Sequence, residues 1–155
     1  MTAAIETITT AIESAVKAIL PTVRPGARFS MAPTQADLAD LASSPQQRTA
    51  QVYAADVLGI GAYFSPRHQV RQLFVIAIAY DLPSGSPQWA EWWAAMAADA
   101  ALVIEALTAP AFSASLPSGA ELDAEAAPTW QPPPRSSKGR TVSLIRATVY
   151  YQPGA

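Results

Sequence analysis

Between Gln69 and Leu82 the chain reads QVRQLFVIAIAYDL, with Val70, Phe74, Ile76, Ile78 and Tyr80 on one face and Leu73, Val75, Ala77 and Ala79 on the other. A period of two in β-branched and aromatic residues predicts a strand, and apolar side chains on both faces predict a central one covered on two sides. After the turn LPSGSP, from Leu82 to Pro87, the period changes. Trp89, Trp92, Trp93, Met96, Ala100, Val103, Ile104 and Leu107 recur at helical spacing. The spacing predicts a helix from Pro87 to about Leu107, capped by Ser86, with Pro87 at the first position, where its missing N–H is not needed. Pro110 marks its end.

The same patterning organises the rest of the chain. Ile5, Ile8, Ile12, Val16 and Ile19 form one face of an N-terminal helix of about five turns, with Glu6, Glu13 and Lys17 off that face and Pro21 ending it. Ala27 to Met31 reads as a short strand, and Thr34 to Ala42 as a capped short helix or lid, because Thr34 precedes Asp37 by three. From Arg48 to Leu58, Gln51, Tyr53 and Ala55 alternate with Ala50, Val52 and Ala54, which predicts a strand; Gly59 and Gly61 then predict a turn or loop as far as Pro66. Arg140 to Gln152 alternates as a last strand, Val142, Leu144, Arg146, Thr148 and Tyr150 against Ser143, Ile145, Ala147, Val149 and Tyr151. Pro110 to Lys138 contains Pro117, Pro128, Pro132, Pro133 and Pro134, so neither helix nor sheet is expected there for long. A segment of that length reads as an extended loop or arm.

These elements specify a single α+β domain spanning residues 1–155: a mostly antiparallel sheet of about four strands, packed against the N-terminal helix and the second long amphipathic helix, with the Pro-rich loop of residues 110–138 before the last strand. Composition adds one constraint. Of 155 residues, 50% are hydrophobic and 14% charged, and the formal net charge is -2. So little charge leaves apolar surface for a partner to cover, while so small a net charge argues against a whole-molecule field that attracts nucleic acid or acidic lipid. The absence of cysteine excludes disulfides, thiolate nucleophiles and sulfur metal sites. No secretory leader is expected at the N-terminus, which has no basic region before its apolar residues, and no run of apolar residues has the length of a membrane span.

Candidate chemistry is sparse. The lone histidine, His68, stands near Arg67 and Arg71, cations that disfavour its protonated form, and a surface histidine is the expectation. LGIGAYF, from Leu58 to Phe64, offers two glycines of a dinucleotide fingerprint but Phe64 where the third belongs, and Pro66 prevents a helix from opening there. Asp37 and Asp40 share a helix face without the features of a catalytic pair. Trp89, Trp92 and Trp93 fall on the face that must cover the sheet, so packing accounts for them better than base or sugar stacking; the polar residues left on that helix are the acids Glu91, Asp99 and Glu105. Basic residues gather before two strands: Arg67 and Arg71, and Arg135, Lys138 and Arg140. If both sets lie at one end of the sheet they form a solvated rim or a patch toward an acidic surface or DNA. No catalytic, metal or cofactor residue is assigned, and no enzyme activity is expected.

The opening helix IETITTAIESAVKAILP, the central strand QVRQLFVIAIAYDLP, the helix PQWAEWWAAMAADAALVIEAL and the closing strand RTVSLIRATVYYQPG together resemble the tail terminator, or tail-tube capping, proteins of long-tailed bacteriophages and related gene-transfer particles. The likeness is one of architecture and texture over most of the chain, without a signature motif. It implies a structural virion protein of the head–tail interface, assembled in the host cytoplasm. Such proteins form a ring, usually hexameric, that sits on the last ring of tail-tube protein, stops its polymerisation and meets the head-completion or connector proteins, while DNA passes through the lumen without sequence-specific binding. On that resemblance Arg67, Arg71, Arg135, Lys138 and Arg140 are candidates to face the lumen or a partner, and Pro117, Pro128, Trp130, Pro132, Pro133 and Pro134 to form an arm reaching a neighbouring subunit. Residues 34–47 and 110–138 match no element of that family. Two alternatives stand beside it: another neck protein, such as a head-completion or adaptor protein, and a small-ligand-binding α+β module using an aromatic groove between helix and sheet.

Overall fold

A computed structural model describes residues 3–21, 28–32, 48–61, 69–81, 89–133 and 140–152. The chain is α+β. Helix α1 (Ala3–Ala18) is followed by β1 (Ser30–Met31), β2 (Thr49–Gly61), β3 (Gln69–Asp81), α2 (Trp89–Thr108), α3 (Pro110–Ser115), β4 (Glu121–Leu122), β5 (Thr129–Gln131) and β6 (Arg140–Tyr151). The lid expected from Thr34 to Ala42, the Ser86 cap, His68, Asp37 and Asp40 lie outside the described residues.

The sheet has six strands among the described residues, in the order β1-β2-β3-β6-β4, with β5 also on β6. Three are long, β2, β3 and β6, and pair antiparallel with β3 in the centre; β1 adds a two-residue parallel rung to β2. Register places Phe74 between Ala54 and Ala147, and Ile76 between Val52 and Ile145, so the even-numbered face of β3 continues across all three long strands. Ile8, Ile12 and Val16 of α1 and Met96, Ala100, Val103 and Leu107 of α2 close over that face. Each of the buried Ile, Val, Met and Leu side chains among these contributes about 1.5–3 kcal/mol over its exposed state. On the other face Ala77 and Ala79 are buried, with Ala32, Tyr53, Val142 and Leu144 packed beside them.

Local chemistry ends the helices where expected. Ala109 has extended backbone, as the residue before a proline should, and Pro110 takes the first turn of α3. Two expectations are corrected. Gly59 and Gly61 do not open a loop: β2 runs on to Gly61, with register irregularities between Ala54 and Val57 and between Val57 and Gly59. The first irregularity is stabilised from the neighbouring strand, where the buried Gln72 amide donates to the Ala55 carbonyl at 3.0 Å. Because one extra residue per bulge bends a strand without ending it, glycine here serves strand curvature instead of a turn.

The second correction concerns the proline-rich segment, which is neither structureless nor a free arm over its described part. It forms α3, β4 and β5, and both short strands pair with β6. Phe112 and Leu116 enter the main core. Pro117 to Ala120 is a tight turn closed by Ala120 N–H donating to the Pro117 carbonyl at 2.9 Å, with Gly119 at φ +82°, a conformation that side chains disfavour. Pro117, Pro128 and Pro132 sit at turns or strand ends, where a missing N–H is tolerated, and Pro128 and Pro133 are buried. Pro134 lies outside the described residues. Prolines therefore break this segment into short pieces that lie back on their own sheet.

Candidate functional site

Three features stand out, two of them groups of polar side chains. The first is closed to solvent. Arg48, directly before β2, has the only positive φ of a non-glycine residue among those described, 54°, and its side chain is fully buried. Its Nε donates to Asp99 Oδ2 of α2 at 2.6 Å, and the Tyr80 hydroxyl donates to the same oxygen at 2.8 Å. Among the described residues Asp99 Oδ1 is buried without a hydrogen-bond partner. Burial pushes the Asp99 carboxyl above its ordinary value, although the Arg48 guanidinium and the Tyr80 hydroxyl both favour its charge. Burial, joined by the neighbouring Asp99 charge, pushes the Tyr80 phenol well up. With Arg48 and Asp99 fully buried and Tyr80 nearly so, this cluster ties the start of β2, β3 and α2 together.

Asp99 therefore does not belong with Glu91 and Glu105, the exposed acids among which helical polarity places it. A signal was present: Asp99 lies three residues after Met96 and four before Val103, inside the apolar stripe. A charge on a buried stripe demands a partner, but nothing local names Arg48 as that partner.

The second group sits on β3. Arg71, 36% exposed along its side chain, contacts Asp123 Oδ2 through Nε at 2.9 Å and through a terminal nitrogen at 2.8 Å. Its guanidinium lies 5.9 Å from the centre of the Tyr150 ring. Asp123 also accepts from the Glu125 backbone N–H at 2.9 Å through Oδ1, and its own N–H donates to the Thr148 carbonyl at 2.8 Å. Burial alone would raise the Asp123 carboxyl; the Glu125 N–H, the Arg71 contact and the Ala126 N–H outweigh it and hold the group below its ordinary value. Arg71 is thus engaged within its own chain, where it fastens the segment after α3 to the sheet. Farther along that segment Trp130 of β5 packs on Trp93 of α2, ring centres 5.6 Å apart at 58°.

Register corrects the idea of one basic patch. β3 and β6 are antiparallel, so residues that enter them lie at opposite ends of the sheet: Arg71 stands opposite Tyr150, whereas Arg140 stands opposite Asp81. Asp81 lies ten positions along β3 from Arg71, roughly 33 Å at the usual rise of a strand. Arg67, Arg135 and Lys138 lie outside the described residues.

The third feature is apolar. Val57 and Leu58 of β2 are 55% and 47% exposed, and only Leu20 joins them as an exposed large hydrophobic residue among those described. Separately, an open groove of about 850 Å³ runs between α1 and the junction of α2 with α3, lined by Thr7, Ala11, Ser14, Ala106, Ala109 and Phe112 among others. Apart from Phe112 and Glu6, the one charged among them, its lining residues are Ala, Ser and Thr. Trp92 and Trp93 are partly buried and packed against the core. Among the described residues no cluster of three or more potential metal ligands occurs, and no helix is long and apolar enough to cross a membrane.

Compared with protein-family models and with curated proteins, the sequence matches none.

Proposed function

We propose that the chain is a structural subunit of a long-tailed phage particle or a related gene-transfer particle, one that closes into a hexameric ring on the tail tube. In this reading the ring stops tube polymerisation, meets the head-completion or connector proteins and surrounds the path of DNA; it performs no chemistry. The observation that carries it is the order of elements: an N-terminal helix, the long antiparallel pair β2 and β3, the apolar helix α2, and a closing strand β6 that returns beside β3. That is the order on which the sequence resemblance rests. Surface chemistry supports it, since a chain with 14% charged residues also exposes Val57 and Leu58 on consecutive positions of one strand.

The test is direct. Purified protein mixed with tail tubes should bind tube ends, halt their growth and appear as six-fold annuli by electron microscopy. Tubes that elongate unchanged beside a monomeric protein would reject the reading. A second reading, a small-ligand-binding module, is favoured by the groove against α1; a raised melting temperature with a small apolar metabolite, in a protein that remains monomeric, would support it instead.

A further inference from the structure

We infer that the Arg48–Asp99–Tyr80 cluster holds one internal water, bound between Asp99 Oδ1 and the Ser143 hydroxyl, that extends the cluster to β6. Among the described residues, the buried side-chain polar atoms with no hydrogen-bond partner are Asp99 Oδ1, Ser143 Oγ and Trp130 Nε1. Two of the three gather around one group, the Tyr80 phenol. Its hydroxyl donates to Asp99 Oδ2 at 2.8 Å, so Oδ1 of the same carboxylate lies close by. Ser143 stands opposite Ile78, two residues along β6 from Thr141, the partner of Tyr80, and so shares the face of the sheet from which Tyr80 reaches α2. Burial pushes the Tyr80 phenol up, and the Ser143 hydroxyl is near enough to oppose that push. Asp99 and Ser143 are fully buried and Tyr80 is 2% exposed, so bulk solvent serves neither orphan.

The two orphans are chemically complementary. Arg48 Nε and the Tyr80 hydroxyl both donate to Oδ2, which leaves Oδ1 an acceptor without a donor. Ser143 Oγ carries a donor without an acceptor. Left bare, each forfeits the hydrogen bond it makes to water in the unfolded chain, and the loss is heaviest for an ionised oxygen. A direct bond would cancel both losses, but the two atoms do not make one. A water between them accepts from the Ser143 hydroxyl and donates to Asp99 Oδ1; its second proton goes to a lone pair of the Tyr80 oxygen, whose own proton is given to Oδ2. Three bonds to buried polar groups is the usual complement of an internal water. The gain is architectural. Direct contacts link Asp99 of α2 to Arg48 at the start of β2 and to Tyr80 of β3. The water adds β6, so that one carboxylate is tied to all three long strands.

Two measurements on the full chain test the water. A high-resolution crystal structure of the wild-type protein should show one ordered water within hydrogen-bond distance of both Asp99 Oδ1 and Ser143 Oγ. A direct Ser143–Asp99 bond, or the two atoms packed against carbon with no water between them, would overturn the inference. In solution, magnetic relaxation dispersion of the water oxygen should record one long-lived water fewer in Ser143→Val, whose added methyl occupies the space, than in the wild type; equal numbers would overturn it. The folding equilibrium constant should fall about tenfold further in Ser143→Val than in Ser143→Ala, which leaves the space open, because the valine strands Asp99 Oδ1 without a donor. Equal constants would count against the water in the same way. Should Ser143→Val not fold, Arg48→Met/Asp99→Leu, which deletes the acceptor, takes its place in the dispersion measurement and must lack the same single water; its retention would overturn the inference.

Discussion

Arg48 and Asp99 lie 51 residues apart in the chain and meet at 2.6 Å with both side chains excluded from solvent. Two ions removed from water are costly to keep and costlier to separate, because the survivor remains charged without a partner. Asp99→Ala should therefore lower stability by about 3–5 kcal/mol in urea unfolding. Replacing both partners with apolar residues, as in Arg48→Met/Asp99→Leu, should recover most of that loss. A single variant within about 1 kcal/mol of wild type, small beside the cost of stranding a buried charge, would show that the pair does not hold β2 against α2.

The two buried aspartates respond to pH with opposite sign. Asp123 is held below its ordinary value, so the unfolded chain takes up its proton first as pH falls; its contribution is full above the ordinary carboxylate range and is lost on acidification through the folded value. Asp99 is raised, so the unfolded chain loses that proton first as pH rises; its contribution is full below the ordinary range and declines as pH climbs through the raised value. Asp123→Asn should flatten the acid limb of a stability–pH profile measured by chemical denaturation. An unchanged acid limb would mean that the Arg71 and Glu125 contacts do not survive in solution.

Because Arg71 is partly exposed, water screens its attraction to Asp123, and Arg71→Ala should cost only on the order of 1 kcal/mol. Its larger effect should be local. Limited proteolysis of the free wild-type subunit should spare residues 110–133, which lie on their own sheet, and Arg71→Ala should become cleavable between Pro117 and Pro128. Rapid cleavage of that stretch in the wild type would contradict the packing of the segment.

Trp93 and Trp130 supply the second attachment of the same segment. A double-mutant cycle with Trp93→Ala and Trp130→Ala should give a coupling energy of about 0.5–1.5 kcal/mol, the value of a tilted aromatic pair beyond its buried area. Strict additivity of the two single variants would place the rings out of contact.

Gly119→Ala forces a side chain into a left-handed turn at φ +82° and brings its Cβ to 3.3 Å from the Gln152 side chain. A loss of about 1 kcal/mol in thermal or urea unfolding is expected. Neutral behaviour would mean that the Pro117–Ala120 turn relaxes.

What the sequence determined by itself is what local periodicity can carry: the helical face from Ile5 to Ile19, the alternating strands around Ala50, Ile76 and Ile145, the apolar face of α2, and hence an α+β domain. Side-chain period follows from the backbone geometry of a few neighbouring residues, so it survives in one dimension. Tertiary structure alone decided the rest, because it depends on which distant segments become neighbours. Antiparallel pairing of β3 with β6 sent Arg71 and Arg140 to opposite ends of the sheet, although each lies at or near the start of its strand. Closure of α2 over Tyr80 brought Asp99 to Arg48, and Phe112, Asp123 and Trp130 drew a proline-rich stretch onto the core where its composition suggested an arm. Burial and pairing across such separations are properties of the assembled layers, and no window of sequence contains both partners.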